Sequence, residues 1–175
     1  DIKTLRENAR RHIADGAVTT GYAGNTELVC RVLNEALATE IVCVLRYKRH
    51  FYMAAGIHSG PVKSEFKQHA AEEQGHADRI AERIVQLGGS PDFSPDGLLS
   101  RSHSEYVEGE TLIAMIQEDL VAERVAIDSY REIASWLAGF DTTSQRMIEE
   151  IQASEEEHAD DLSELLSQMP YATTA

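Results

Sequence analysis

Cysteine is scarce in this chain of 175 residues, and the two that occur, Cys30 and Cys43, fall in what the surrounding pattern predicts to be one helix. At ~1.5 Å per residue, helix geometry places the two thiols about 20 Å apart, so they cannot form a disulfide with each other there. The absence of a Cys-x-x-Cys pair argues against a rubredoxin-type iron site and favours a reducing compartment. We therefore expect two free, packed thiols and a cytoplasmic protein.

Long apolar runs are missing as well. No stretch of about 18 uncharged apolar residues occurs, so the sequence predicts no membrane-spanning helix. Residues 1–14 are charged and lack an apolar stretch, so we expect no secretory signal in them. Proline is rare, with four residues in the chain, and none interrupts the long periodic stretches. That pattern favours long helices.

Basic residues are outnumbered: 16 Lys and Arg stand against 30 Asp and Glu, and the formal charge is −14. This balance argues against nucleic-acid binding and favours attraction of cations. Four basic residues do cluster near the start, but neighbouring acidic residues largely cancel them. A solvated helix face is the preferred interpretation of that cluster, and a DNA-gripping arm is the alternative. The four are Lys3, Arg6, Arg10 and Arg11.

Hydrophobic periodicity predicts an all-α protein with four long helices and a shorter one before them. We expect one domain over residues 1–175, with an extension over 1–24 and a four-helix bundle over about 25–168. The segment from Gly88 to Glu108 is long enough to run the length of the bundle, which predicts parallel second and third helices. The predicted helices are about Ile2–Ala14, Thr26–Ala55, Pro61–Leu87, Gly109–Leu137 and Thr142–Gln168.

The candidate functional residues belong to a motif that occurs twice in the chain. Glu73-x-x-His76 and Glu155-x-x-His158 each follow a lone glutamate by about one helix length: Glu40 lies 33 residues before Glu73, and Glu123 lies 32 before Glu155. Each of these six residues interrupts an otherwise apolar face of its helix. A Glu-x-x-His spacing alone is weak evidence in a chain this rich in Glu and His. Six inward positions in this matched pattern are the ligand set that a four-helix bundle uses to bind two metal ions.

Electrostatics supports the same interpretation, because four buried carboxylates without compensation cost too much free energy. Two divalent cations would balance four carboxylates and two neutral imidazoles. Oxygen ligands with some imidazole suit iron or manganese. By symmetry, Glu40 and His76 would bind one ion, Glu123 and His158 the other, and both remaining glutamates would bridge. The alternative is a metal-free network of carboxylates that share protons.

Four further residues lie on the same faces. Tyr47 and Tyr130 each follow a lone glutamate by seven residues, so they either hydrogen-bond or donate electrons to the site, or serve as core tyrosines with satisfied hydroxyls. Asp119 could orient a ligating imidazole. His69 is either a hydrogen-bonded core histidine or part of an iron access route.

At these residues the chain resembles the bacterioferritin branch of the ferritin-like superfamily. The segments from Glu40 to Tyr47, from Glu73 to Ile80 and from Asp119 to Glu123 look like that family's ligand helices. The resemblance implies a ferritin-like four-helix bundle and a di-iron ferroxidase with two irons per subunit. It also implies that Fe(II) is oxidised by dioxygen or hydrogen peroxide and that the mineral is stored in a hollow shell.

Two departures from that family matter. The residue after the first bridging glutamate is Gln74, where bacterioferritins have their haem-ligating methionine, so we expect no haem. Only 17 residues follow His158, too few for the family's fifth helix. In this respect the chain resembles the Dps-like mini-ferritins, which implies a homo-oligomer of 12 subunits.

Three other functions stay open at this point. A di-iron oxygenase or manganese catalase uses related ligands on this fold, but the chain has no long insertion to build an organic-substrate pocket. A DNA-protecting shell protein is disfavoured by the acidic composition. A small helical dimer that senses or detoxifies peroxide without storing iron is the third.

Overall fold

The computed structural model describes residues 1–170, and within that range every regular element is a helix. The four long helices lie within a few residues of their predicted bounds. One short helix was not predicted. The helices are α1 (Ile2–Arg11), α2 (Thr26–Met53), α3 (Ser59–Gln86), α4 (Leu98–Arg101), α5 (Leu112–Leu137) and α6 (Thr142–Ser167).

Side chains cap three of the long helices at their N-termini. Asn25 accepts a hydrogen bond from the Leu28 amide, Thr111 caps α5 in the same way, and Asp141 accepts from the Ser144 amide at 2.9 Å. Asparagine, threonine and aspartate are residues that favour this capping position, because a short side-chain oxygen can accept from a free amide of the first turn. Helix α3 ends at Gln86, and two residues later Gly88 has a φ of 82°, a left-handed conformation that favours glycine. The amide of the next residue, Gly89, bonds back to the Ile84 carbonyl, which stops the helix.

Two apolar clusters define the topology. The first joins the start of α2, the end of α3, the end of α5 and the start of α6, and the second joins the opposite ends of the same four helices. Helices α3 and α5 are therefore parallel, while α2–α3 and α5–α6 form antiparallel hairpins. This is the predicted ferritin-like bundle. Representative residues are Leu33, Ile84, Leu137 and Ile148 in the first cluster and Tyr47, Phe66, Ile116 and Leu162 in the second.

The crossover between α3 and α5 runs along α2 and is tied to it by polar side chains. Near its start, the Asn34 side chain bonds to the Ser90 carbonyl and the Asp92 amide. Further along, Arg46 donates to the Glu105 carbonyl at 2.8 Å, and a ring nitrogen of His50 lies 3.0 Å from the Val107 carbonyl. These bonds fix the long connection that makes α3 and α5 parallel. Within residues 1–170, no helix combines the length and apolar character needed to cross a membrane.

Candidate metal centre

All six predicted site residues lie together in the layer between the two apolar clusters. Their apolar neighbours along each helix are buried as expected, apart from Leu112 and Ile127, which are partly exposed. The six residues are themselves at most 7% exposed. The six are Glu40 from α2, Glu73 and His76 from α3, Glu123 from α5, and Glu155 and His158 from α6.

The side chains converge as two overlapping groups of four. Glu73 and Glu155 belong to both groups, which otherwise contain Glu40 with His76 and Glu123 with His158. In each group the potential ligand atoms all lie within 4.8 Å of one another, close enough to surround one metal ion. The structure therefore brings together every residue of the predicted set in the predicted pairing.

Each imidazole turns its Nδ1 atom towards the carboxylates. His76 Nδ1 lies 3.1 Å from Glu40 Oε2 and 3.2 Å from Glu155 Oε1. His158 Nδ1 lies 3.1 Å from Glu155 Oε2 and 3.4 Å from Glu73 Oε1. The two rings are near parallel, with centroids 6.2 Å apart. A lone pair on each Nδ1 can therefore point into the cluster.

Several atoms of the cluster are buried without a hydrogen-bond partner among the described residues. They are both carboxylate oxygens of Glu73, both of Glu155, Oε2 of Glu123 and Nδ1 of His158. Buried polar atoms without partners are rare and costly in folded proteins. Carboxylate oxygens and imidazole nitrogens that lack partners and face one another are the donor set that a divalent cation binds. The residues present thus fit a pair of metal ions.

Protons compensate part of the carboxylate charge. Burial, and then the neighbouring Glu73 carboxylate, raise the pKa of Glu40 to about 8. Burial and the charges of Glu73 and Glu155 raise the pKa of Glu123 well above its ordinary value. For Glu73, burial also acts to raise the pKa, but contacts with Glu40 and the two histidines outweigh it and the pKa is lowered.

The pKa values of the two histidines are raised as well, although burial acts on them in the opposite direction. Burial by itself would lower the pKa of His76, but the nearby carboxylates of Glu155, Glu40 and Glu73 outweigh it and raise that pKa to about 12. The pKa of His158 is raised in the same way, chiefly by Glu123 and Glu155 against the effect of burial. Without metal, the cluster therefore binds protons, which neutralise the carboxylate charge that two cations could neutralise instead.

The two tyrosines cross the bundle symmetrically. Tyr47 of α2 donates its hydroxyl proton to Oε1 of Glu123 on α5, and Tyr130 of α5 donates to Oε1 of Glu40 on α2. Both rings are fully buried. Each hydroxyl is therefore satisfied by a carboxylate of the cluster, and each bond fixes one oxygen of a candidate ligand. The tyrosines are thus both core residues with satisfied hydroxyls and hydrogen-bond donors to the site.

The role predicted for Asp119 is wrong. Its Oδ1 accepts from Arg46 Nε at 2.7 Å, and its Oδ2 lies 2.8 Å from His50 Nδ1. Asp119 thus orients an imidazole, but that of His50, which holds the crossover rather than the cluster. The reason is that the long Arg46 side chain reaches into the same buried layer and pairs with it. His69 is fully buried, and its Nδ1 lies 3.2 Å from the Tyr47 hydroxyl.

Glu72 contacts the candidate metal centre but was not predicted from the sequence. Its Oε2 lies 2.6 Å from Nε2 of His158, so the carboxylate accepts the Nε2 proton and turns Nδ1 towards the cluster, where it can bind a metal ion once the ring is neutral. Glu72 lies beside the apolar face of α3 and not on it, so helical periodicity gave no signal. Its position directly before Glu73 was the only available hint.

A four-helix bundle with a long crossover and a buried pair of Glu-rich ligand groups defines a class of protein, and comparison with known proteins agrees with that class. Residues 30–172 match the family of ferritin-like domains. The bacterioferritin of Mycobacterium bovis is 30% identical over 142 residues, which cover 81% of this chain and 85% of that protein. This chain therefore belongs to the ferritin-like family and is related to the bacterioferritins.

Solved structures support the same family. The bacterioferritin-related protein of Bacteroides fragilis, described as a dodecameric thioferritin, superposes with a TM-score of 0.78 at 31% identity. The match covers 82% of this chain and 86% of that one. Dps from Thermosynechococcus elongatus shares the fold, with a TM-score of 0.78 at 21% identity over 85% of this chain and 96% of that one.

Proposed function

We propose that this protein is an iron-storage and detoxification ferroxidase, which oxidises Fe(II) to Fe(III) with dioxygen or hydrogen peroxide at a di-iron centre inside each subunit. One observation carries the proposal: the buried oxygens of Glu73 and Glu155 have no partner among the described residues and face both halves of the cluster. Membership of a family of iron-storing proteins supports iron as the cation.

The proposed roles follow the two overlapping groups. Glu40 and His76 bind one ion, and Glu123 and His158 bind the other, because each of these residues belongs to one group only. Glu73 and Glu155 bridge, because they belong to both. With neutral imidazoles, four carboxylates balance two divalent cations, so the loaded core carries no net charge.

The reaction needs an electron from each of two substrate ions. Two Fe(II) reduce one dioxygen, with two protons, to hydrogen peroxide, or reduce one hydrogen peroxide, with two protons, to two waters. The side chains position the ions and exclude bulk water, because all six are buried. The tyrosines hold Glu40 and Glu123, and Glu72 holds the His158 ring, so the ligands are set in place before iron binds.

We propose a homo-oligomeric shell of 12 subunits, supported by the dodecameric Bacteroides fragilis relative and by the fold shared with Dps. A formal charge of −14 per chain would concentrate Fe(II) around such a shell. Haem is not part of the proposal. Gln74, which follows Glu73, donates to Asp78 on the exposed face of α3 and offers no thioether to a haem iron.

The experiment adds Fe(II) aerobically to metal-free protein and follows ultraviolet absorbance and particle mass. We expect rapid oxidation and ferric mineral that stays in a particle of about 12 chains. Glu73→Ala removes a residue common to both groups, so it should abolish rapid oxidation while the helical circular dichroism stays unchanged. Glu82→Gln, on the exposed face of the same helix, is the matched control and should oxidise iron at the parental rate. Parental oxidation by Glu73→Ala would refute the bridging role.

A further inference from the structure

Three residues outside the buried cluster form a second group with metal-ligand spacing. Glu65 and His69 lie one turn apart on α3, and Asp161 faces them from α6. His69 Nε2 lies 3.5 Å from Glu65 Oε2 and 3.5 Å from Asp161 Oδ2. The imidazole is fully buried, whereas the two carboxylates are 32% and 50% exposed. The group therefore connects the interior of the bundle with solvent.

Nε2 of His69 is one of the buried atoms with no hydrogen-bond partner among the described residues. The other nitrogen, Nδ1, lies 3.2 Å from the Tyr47 hydroxyl, which already donates its proton to Glu123. Since a hydroxyl has one proton, Tyr47 can only accept from His69, so Nδ1 carries the hydrogen. A neutral imidazole in this tautomer leaves the Nε2 lone pair facing two carboxylates.

A lone pair and two carboxylate oxygens repel one another unless something positive lies between them. A cation bound at about 2.1 Å to nitrogen and oxygen ligands separates those ligands by about 3.4 Å in tetrahedral geometry. The two distances of 3.5 Å from Nε2 match that separation. The group also shares no residue with the six of the buried cluster.

We propose that Glu65, His69 and Asp161 form a third cation site for a divalent first-row transition ion such as Fe(II), and that ions reach the buried pair through it. The site lies next to the cluster, because the His69 ring stacks on the His158 ring with centroids 4.0 Å apart. Glu72, 40% exposed and bonded to His158, adds a carboxylate on the same side. The route rests on the proposed di-iron function, whereas the site itself does not.

Cobalt binding tests the site without relying on iron oxidation. The protein, stripped of metal by a chelator, is dialysed to equilibrium against Co(II) in about 0.15 M salt, which screens exposed charges. Bound cobalt per chain is then measured by elemental analysis. We expect three ions in the parent and two in the double variant E65Q/D161N. The control E82Q/E149Q makes the same charge change on exposed positions of the same two helices and should bind three.

The counts separate the two proposals. Two ions in both parent and E65Q/D161N would overturn the third site and leave the buried pair intact. One ion in the parent and none in the variant would support the third site and overturn the buried pair.

For the route, stopped-flow absorbance measures how fast Co(II) fills the buried pair. We expect at least about tenfold slower filling in E65Q/D161N, since losing a local negative charge lowers the association rate. Equal rates would overturn the route.

Discussion

Entry of two divalent cations into the buried cluster should release about four protons near pH 6.5. The pKa of Glu40 is raised to about 8 and that of His76 to about 12, and that of His158 is raised further, so these three groups hold protons at that pH. The pKa of Glu123 is raised well above its ordinary value, and we expect it to supply the fourth proton. A metal ligand must give up its proton to bind. Two cations and four protons carry the same charge, so the exchange leaves the core as neutral as before.

Isothermal titration of Zn(II) in buffers of different ionisation enthalpy measures the number of protons released. The E65Q/D161N background is the right sample, because it removes the proposed third site and restricts binding to the pair. The control is Glu73→Ala in that background, which should bind weakly and release few protons. Release of fewer than about two protons per two cations would refute the reasoning, since it would mean that the cluster is already ionised before metal arrives.

The same shifts set a pH dependence for the metal-free protein. Each of the four groups binds its proton more tightly when folded, so its stabilising effect is complete below its unfolded pKa, roughly 4.3 for Glu and 6.5 for His. That effect is lost as the pH rises towards the folded pKa. The free energy of unfolding should therefore fall between about pH 6.5 and 8, measured by urea denaturation. With saturating Zn(II), the free energy of unfolding should instead rise over this range. Zinc and protons compete for the same ligand atoms, so zinc binds the folded protein more tightly as the proton concentration falls. A metal-free stability that rises over this range would contradict the assignment.

Three substitutions test the supporting bonds. Asp119→Ala leaves the buried Arg46 charge unpaired and should lower the free energy of unfolding by about 3–5 kcal/mol in urea; a loss below about 1 kcal/mol would contradict the pairing. Tyr130→Phe removes the donor to Glu40 and should cost the metal-free protein about 1–3 kcal/mol; unchanged stability would show that the bond contributes nothing. Glu72→Gln frees the Nε2 side of its histidine partner and should weaken Co(II) binding by roughly 10–100-fold, and parental affinity would refute its orienting role.

Much of this architecture follows from helical periodicity. An inward-facing position recurs every three or four residues, so polar residues on an apolar face, such as Glu40 and Glu123, stand out in the sequence. The length of the segment from Gly88 to Glu108 was enough to predict the parallel arrangement of α3 and α5, because a short link could not span the bundle. These features depend on spacing alone.

What the sequence did not reveal depends on contacts between helices. Glu72 lies off the apolar face, and its importance appears only where α6 brings His158 against it. Asp119 has the inward spacing of a supporting residue, but its partner was decided by Arg46, a long side chain that reaches the core from α2. The four-residue helix α4 is too short to carry a periodic signal.

Anomalous diffraction from crystals soaked in Fe(II) without oxygen would test the account most directly. It should show two iron peaks among the six side chains, both contacted by Glu73 and Glu155, with Nδ1 of each histidine as a ligand. An empty cluster in crystals that hold iron elsewhere would contradict it.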